Sequence, residues 1–231
     1  MGASKGTYEK VLNLLGDING KLILDCGAGR GKFSETLKDK GAIVEACDIN
    51  KKQFISKNIK FTEADLNKKL PYKDSGFDMI ISIEVLEHLE NPSHFIAEIK
   101  RILKKGGKAV ITTPNISNIK SRLQFLFKGD LHWFNEAEFG YSGSNHINPI
   151  YYKEILFILK KNNLELFELA TNRDENYTFY MSNTDTILKK TIYFIGNLLC
   201  DTIYRILSLF LYSEEKKLKT ADILILSIRK R

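Results

Sequence analysis

Two kinds of residue in this chain are placed where they could do chemistry. Glu84, Glu87 and His88 lie within one short run, EVLEHL, and His146 stands in SNHINP. Histidine titrates near neutral pH and suits the removal of a proton from a hydroxyl, so His88 and His146 are the candidate bases. His88 also has a plainer reading, as a cap on a strand-to-helix connection. Two carboxylates and two imidazoles form an oxygen and nitrogen donor set for a divalent ion; Glu84, Glu87, His88 and His146 are that set, although a metal-free site is the favoured expectation. The remaining histidines are His132 and His94, the latter within a helical run and expected at the surface.

The second group is the glycine run of LILDCGAGRGKFS, residues 22–34. Gly27, Gly29 and Gly31 follow an apolar stretch and Asp25, the arrangement of a turn that lets a ligand approach bare main chain at a helix amino terminus. Lys32 occupies the place where a dinucleotide fingerprint has its last glycine, which argues against a nicotinamide cofactor. Asp48 ends the next apolar run, where a carboxylate can accept from both hydroxyls of a ribose. Asp65 follows the third, positioned to accept from an adenine amino group. Each acid alone has the bland reading of a loop cap. Together, and in this order, they suit an adenosine without a pyrophosphate.

Elements must hold these groups in place. Strands are predicted at 21–26, 41–49, 59–66, 77–86 and 108–114. Helices are predicted at 32–40, briefly at 51–57, and at 91–103, where Pro92 opens and KKGG closes the segment. This alternation predicts a Rossmann-like, doubly wound parallel sheet. Beyond Pro114 the pattern loosens, and 115–150 is expected as a helical lid over the carboxyl edge. A helix at 149–163 and strands at 164–170 and 221–229 follow. The whole chain, 1–231, is expected as a single domain, with 172–220 a helical insertion before the last strand.

The motifs LDCGAGRG, ACDI, EADL, FDMIISIEVLEHLENP and LKKGGKAVITTPN resemble those of class I S-adenosylmethionine-dependent methyltransferases, and most of all the ubiquinone-biosynthesis type of O-methyltransferase. The resemblance implies a seven-stranded sheet with an antiparallel last strand beside 108–114. It implies S-adenosyl-L-methionine as cofactor, with Gly27, Gly29 and Gly31 cradling its methionine part and Asp25 near its ammonium group. Asp48 would hold the ribose, Ile49 would pack on the adenine, Asp65 and Leu66 would frame it, and Ile83 and Glu84 would form the floor beside the sulfonium. The EVLEH run is also similar to the metal site of small-RNA 2′-O-methyltransferases, but the segment after the fifth strand lacks the arginine- and aromatic-rich run expected of an RNA enzyme. The function expected is O-methylation of a small molecule, lipid or glycan. The alternatives are a metal-dependent 2′-O-methyltransferase acting on RNA and a non-catalytic cofactor-binding partner protein.

The chain has 35 Lys and Arg against 28 Asp and Glu, a net charge of +7, a surplus that suits an anionic surface or substrate but also an ordinary solvated surface. Cys26, Cys47 and Cys200 show no metal-like spacing and leave one unmatched, as expected of reduced thiols in the cytoplasm. The first ten residues have no apolar core of the kind a signal peptide needs. In 186–212 the polar residues Lys190, Asn197, Asp201, Arg205, Ser208 and Tyr212 recur at intervals of seven, four, four, three and four, leaving a broad apolar helical face. That face has three readings: packing on the protein's own core, peripheral contact with a membrane, or a homodimer interface. Nucleic acid is not a favoured partner.

Overall fold

The computed structural model describes residues 6–134, 146–172, 218 and 221–231. In chain order the elements are α1 (Thr7–Leu15), β1 (Leu22–Cys26), α2 (Lys32–Asp39), β2 (Ile43–Asp48), β3 (Lys60–Glu63), β4 (Phe77–Ser82), α3 (Pro92–Ile102), β5 (Leu103–Pro114), α4 (Ile119–Lys128), α5 (Tyr152–Lys161), β6 (Leu164–Thr171) and β7 (Ile223–Lys230). The strands form one sheet in the order β3-β2-β1-β4-β5-β7-β6. The pairs of β1 with β2 and β4, β2 with β3, and β4 with β5 are parallel, while β7 runs antiparallel to both β5 and β6. This is the doubly wound sheet with an antiparallel last strand that the alternating pattern and the resemblance imply. The central strands are buried on both faces, which is why they read as continuous apolar runs. Ile80, Phe95, Ile99 and Leu226 lie in the core on one face, and Val11, Ile23, Phe33 and Ile225 on the other.

Boundaries differ from the sequence expectation where local chemistry intervenes. Strand β4 stops at Ser82, four residues early, because Glu84 takes φ +54° and Leu86–His88 closes a 3₁₀ turn. The KKGG run does not separate α3 from the fifth strand. Leu103 already pairs with Phe77, and the register then shifts so that Met79 pairs with Lys108. The strand therefore bulges through 104–107, with Gly106 at φ +73°. The segment at 51–57 holds only a 3₁₀ turn, Lys51–Gln53. One helix was not foreseen. Helix α1 buries Val11, Leu14 and Leu15. Helix α4 lies inside the expected lid, starting at Asn118, whose side chain accepts from the Ser121 N–H, and ending at Gly129 at φ +79°.

The first four strands, β5 and β6 all point their carboxyl ends to one edge, and β7 begins there. Both ends of the 172–220 insertion leave from that edge. Asn172 accepts from the Ile223 N–H, and Asn115 donates from its amide to the carbonyls of Leu218 and Ala221. Of the insertion itself only Asn172 and Leu218 are described, so the apolar run 186–212, Cys200 and the rest of the lid, 135–145, lie outside the described residues. No helix among the described residues is long and apolar enough to cross a membrane.

Candidate active site

The glycine loop is held from beneath by β2. The N–H groups of Gly27 and Ala28 donate to the carbonyl of Cys47 at 2.8 and 3.1 Å, and Gly29 donates to Oδ2 of Asp48 at 2.8 Å. Asp48 also accepts on Oδ1 from Asn50 N–H, so the acid expected to face a sugar first shapes the loop. Each of its oxygens retains a second lone pair for a hydroxyl donor.

The glycines are required for different reasons. A Cβ on Gly27 would strike the Val85 side chain. One on Gly31, at φ +82°, would sit 2.6 Å from the Phe54 ring and 3.1 Å from Ser56. Those two positions are glycine because the protein packs against them. A Cβ on Gly29, at φ +53°, would meet nothing within 4 Å, so this main chain alone faces open space.

Asp25 lies at the end of β1, 3% exposed, accepting from Ser34 Oγ at 2.5 Å. Burial raises its pKa from 3.8 to about 6; the Ser34 hydrogen bond opposes the rise and the negative charge of Asp48 adds to it. Ile49 follows Asp48 with 66% of its surface exposed. Asp65 accepts from Asn67 N–H and pairs with Lys68 at 3.1 Å, which together hold its carboxyl below the usual range. Leu66 is buried, and Ile83 is partly buried against the core. These residues fit an adenosyl amino acid. A buried carboxylate lacking a cation suits an ammonium, an open stretch of main chain suits a close-lying ligand, and an exposed isoleucine beside an acid suits an aromatic base over a sugar.

The carboxyl end of β4 carries the second half of the site. Glu84 donates its N–H to Thr112 Oγ1 at 2.9 Å, and that hydroxyl donates back to Glu84 Oε1 at 2.6 Å. This exchange holds a non-glycine residue in the left-handed region, the kind of strain found at functional sites. Burial raises the Glu84 pKa to about 7. Glu87 is fully buried. Its Oε2 accepts from Thr113 Oγ1, while Oε1 has no hydrogen-bond partner. Burial, and then the charge of Glu84, push it well above the carboxylate range.

His146 arrives from a distant segment by a main-chain clamp. Ile147 and Asn148 donate their N–H groups to the Glu87 carbonyl at 2.9 and 3.0 Å, and the Asn148 amide donates to Leu89 O. The rings of His88 and His146 then lie 4.7 Å apart at 70°, with Phe134 5.3 Å from His146. Burial and His88 lower the His146 pKa, against a backbone hydrogen bond at Trp133, and its Nδ1 has no partner. His88 Nε2 lies 4.0 Å from Glu87 Oε1, and its side chain is 31% exposed. One ligand atom each from Glu87, His88 and His146 falls within 4.8 Å of the others; Glu84 stands outside this group. His132 is elsewhere, its Nε2 2.9 Å from Lys120 Nζ and its pKa lowered to about 4 by burial and that cation. His94, expected at the surface, is partly buried with an unpartnered Nε2. Thr112, Thr113 and Asn148, which position the acids and His146, were not singled out from the sequence.

A family model described as a methyltransferase domain matches residues 24–111, the stretch from the glycine loop through Glu84, Glu87 and His88 to β5. Over this stretch the chain carries the domain of an S-adenosylmethionine-dependent methyltransferase. It is similar to the ubiquinone biosynthesis O-methyltransferase of Rickettsia typhi, 29% identical over 212 residues that cover 80% of this chain and 82% of that protein. An uncharacterised protein of Methanocaldococcus jannaschii is 38% identical over 112 residues, 47% of this chain; the match spans about half of that relative's length, 48%. A putative methyltransferase structure from Bacillus halodurans aligns with a TM-score of 0.63 at 16% identity, covering 96% of this chain and 97% of that one, a likeness of fold.

Proposed function

We propose that this methyltransferase transfers a methyl group to a hydroxyl oxygen, with His88 receiving the proton, and that the acceptor is a phenolic ring carried on a lipid chain. What carries the reading is the imidazole pair of His88 and His146, set on the same sheet edge as the open main chain of Gly29. Bound S-adenosylmethionine supplies an electrophilic methyl group. The chain's own residues then have separable tasks. Gly29 leaves its main chain open, Asp25 answers the ligand's ammonium, and Asp48, Ile49, Asp65 and Leu66 grip sugar and base. Ile83 and Glu84 line the floor. Burial lowers the His146 pKa, and His88, partly exposed, accepts the hydroxyl proton. The printed name of the Rickettsia typhi relative supports a ring hydroxyl of quinone biosynthesis over a glycan or RNA.

A divalent ion at Glu87, His88 and His146 is a second reading, favoured by the close approach of their ligand atoms. It would lower the hydroxyl's pKa directly.

The test is methyl transfer from the labelled cofactor to dihydroxylated aromatic acceptors, before and after chelation. Turnover that survives chelation and disappears in His88→Ala supports the imidazole base. Turnover lost on chelation and restored by a divalent ion supports the second reading. Tight cofactor binding without transfer to any hydroxyl leaves a cofactor-binding partner protein. Transfer to RNA alone overturns the aromatic acceptor.

A further inference from the structure

Exposed cations and exposed apolar side chains are interleaved at the carboxyl edge of the sheet. At the amino edge three cations are paired, Lys104 with Asp78 at 2.7 Å, Arg101 with Asp74 at 2.7 Å, and Arg231 with Glu165 at 3.1 Å, while Lys21, Lys40, Lys105, Lys160 and Lys161 are exposed. At the carboxyl edge the acids follow β3 and β4, where Asp65 pairs with Lys68 at 3.1 Å, and the flanking loops are basic. The segments 27–32, 49–56 and 115–134, which follow β1, β2 and β5, carry seven Lys or Arg and one acid, Asp130. Arg30, Lys32, Lys51, Lys52 and Arg122 are exposed there, and none forms an ion pair with an acid among the described residues.

Several exposed apolar side chains lie at the same edge, besides Ile43, Phe157 and Phe167 elsewhere. Ile55 is 60% exposed, Phe125 58% and Leu126 72%, and Ile147 and Tyr151 lie beside the histidine pair, where α5 begins. Helix α4 thus presents apolar side chains and Arg122 to solvent, with no acid of its own.

We infer that the carboxyl edge docks on an anionic lipid surface, its cations meeting the headgroups and Ile55, Phe125 and Leu126 entering the interface. What sets this edge apart is that its cations stand beside exposed apolar side chains. The apolar groups interleaved with the cations are mostly aliphatic, which favours acyl chains over the base stacking that single-stranded nucleic acid requires. The inference deepens the acceptor reading above and rests on it for one point, that a lipid-borne acceptor is reached from the edge holding His88. The docking itself needs no acceptor.

The experiment is co-sedimentation of the full chain with vesicles of phosphatidylcholine alone and of phosphatidylcholine mixed with phosphatidylglycerol. Binding is expected to the mixed vesicles only, weakening as salt is raised. Lys51→Glu with Lys52→Glu should reduce it roughly thirtyfold, and Phe125→Asp with Leu126→Asp should abolish it. Lys105→Glu, at the amino edge, should change it less than about twofold, by its distance from the lipid surface. Thermal unfolding and cofactor titration establish that each variant is folded. Equal sedimentation with both vesicle types, sedimentation with neither, or an equal effect of Lys105→Glu overturns the proposal. So does tighter binding to single-stranded RNA that displaces the vesicles. Methylation of a soluble phenol without vesicle binding sinks the docking and spares the acceptor reading; vesicle binding without methylation of any hydroxyl does the reverse.

Discussion

The half of the site built on β1 and β2 and the half built on β4 and β5 are stabilised differently. Around the glycine loop the polar groups are met by neighbours close in space and fold: Asp48 by two main-chain N–H groups, Asp25 by Ser34, Asp65 by Asn67 and Lys68. Around β4 they are not. Glu87 Oε1 and His146 Nδ1 are buried without partners, Glu84 is held in a strained conformation, and two carboxyls share one dry corner. A satisfied cradle is ready to receive a ligand. An unsatisfied corner is completed by one, because buried polar groups without partners destabilise the empty state.

The largest test of this contrast is His88→Ala. It should lower kcat by about 10²–10⁴ while leaving cofactor affinity, measured by calorimetry, nearly unchanged; a parallel loss of affinity would merge the two halves into one unit. Next comes Asp48→Asn, which keeps the size of the side chain but cannot accept at both positions. Cofactor affinity should fall roughly tenfold to a hundredfold, and retained affinity would remove Asp48 from the sugar.

Smaller effects separate the glycines. Gly31→Ala should cost about 2–4 kcal/mol of stability, from the left-handed backbone and the collision with Phe54. Gly29→Ala should cost about 1 kcal/mol, from the backbone alone, yet weaken cofactor binding more than its stability loss suggests. Chemical denaturation beside ligand titration distinguishes them. Equal stability losses would mean that no open space lies over Gly29.

The pH responses are smaller still. Glu84 is raised to about 7 from an ordinary 4.5, so the folded state favours its protonated form. Its contribution to stability is full below about 4.5 and lost as pH rises through about 7. Glu84→Gln should therefore raise Tm above that window and not below it. Asp25, raised to about 6 from 3.8, must ionise to face an ammonium. Cofactor affinity should rise with pH through about 6, and a flat profile would remove Asp25 from that contact.

Much of the cradle was legible in the sequence because its parts are local. The glycines, Asp25 and Asp48 lie at the ends of two successive strands, and apolar runs bounded by a turn signal reveal such ends. Even so, spacing did not show that Gly27 and Gly31 serve Val85 and Phe54 while only Gly29 faces outward. Helix α1, with Val11, Leu14 and Leu15 on one face between Gly6 and Gly16, and α4, with its Asn118 cap and Gly129 stop, carried readable signals. Helix α4 is obscured because Phe125 and Leu126 face solvent and spoil a single apolar stripe.

The order of the strands, the glycine turn after β1 and the acids at the end of β2 and just past β3 were legible in the sequence alone, since short-range sterics and hydrophobic periodicity act between near neighbours. The tertiary fold alone decided that His146 meets His88, through two hydrogen bonds to the Glu87 carbonyl, and that Thr112 and Thr113 hold the two acids. It also decided that burial raises both acids above the usual carboxylate range. Solvent exclusion and contacts between distant segments arise only when the sheet is assembled, and no local pattern records them.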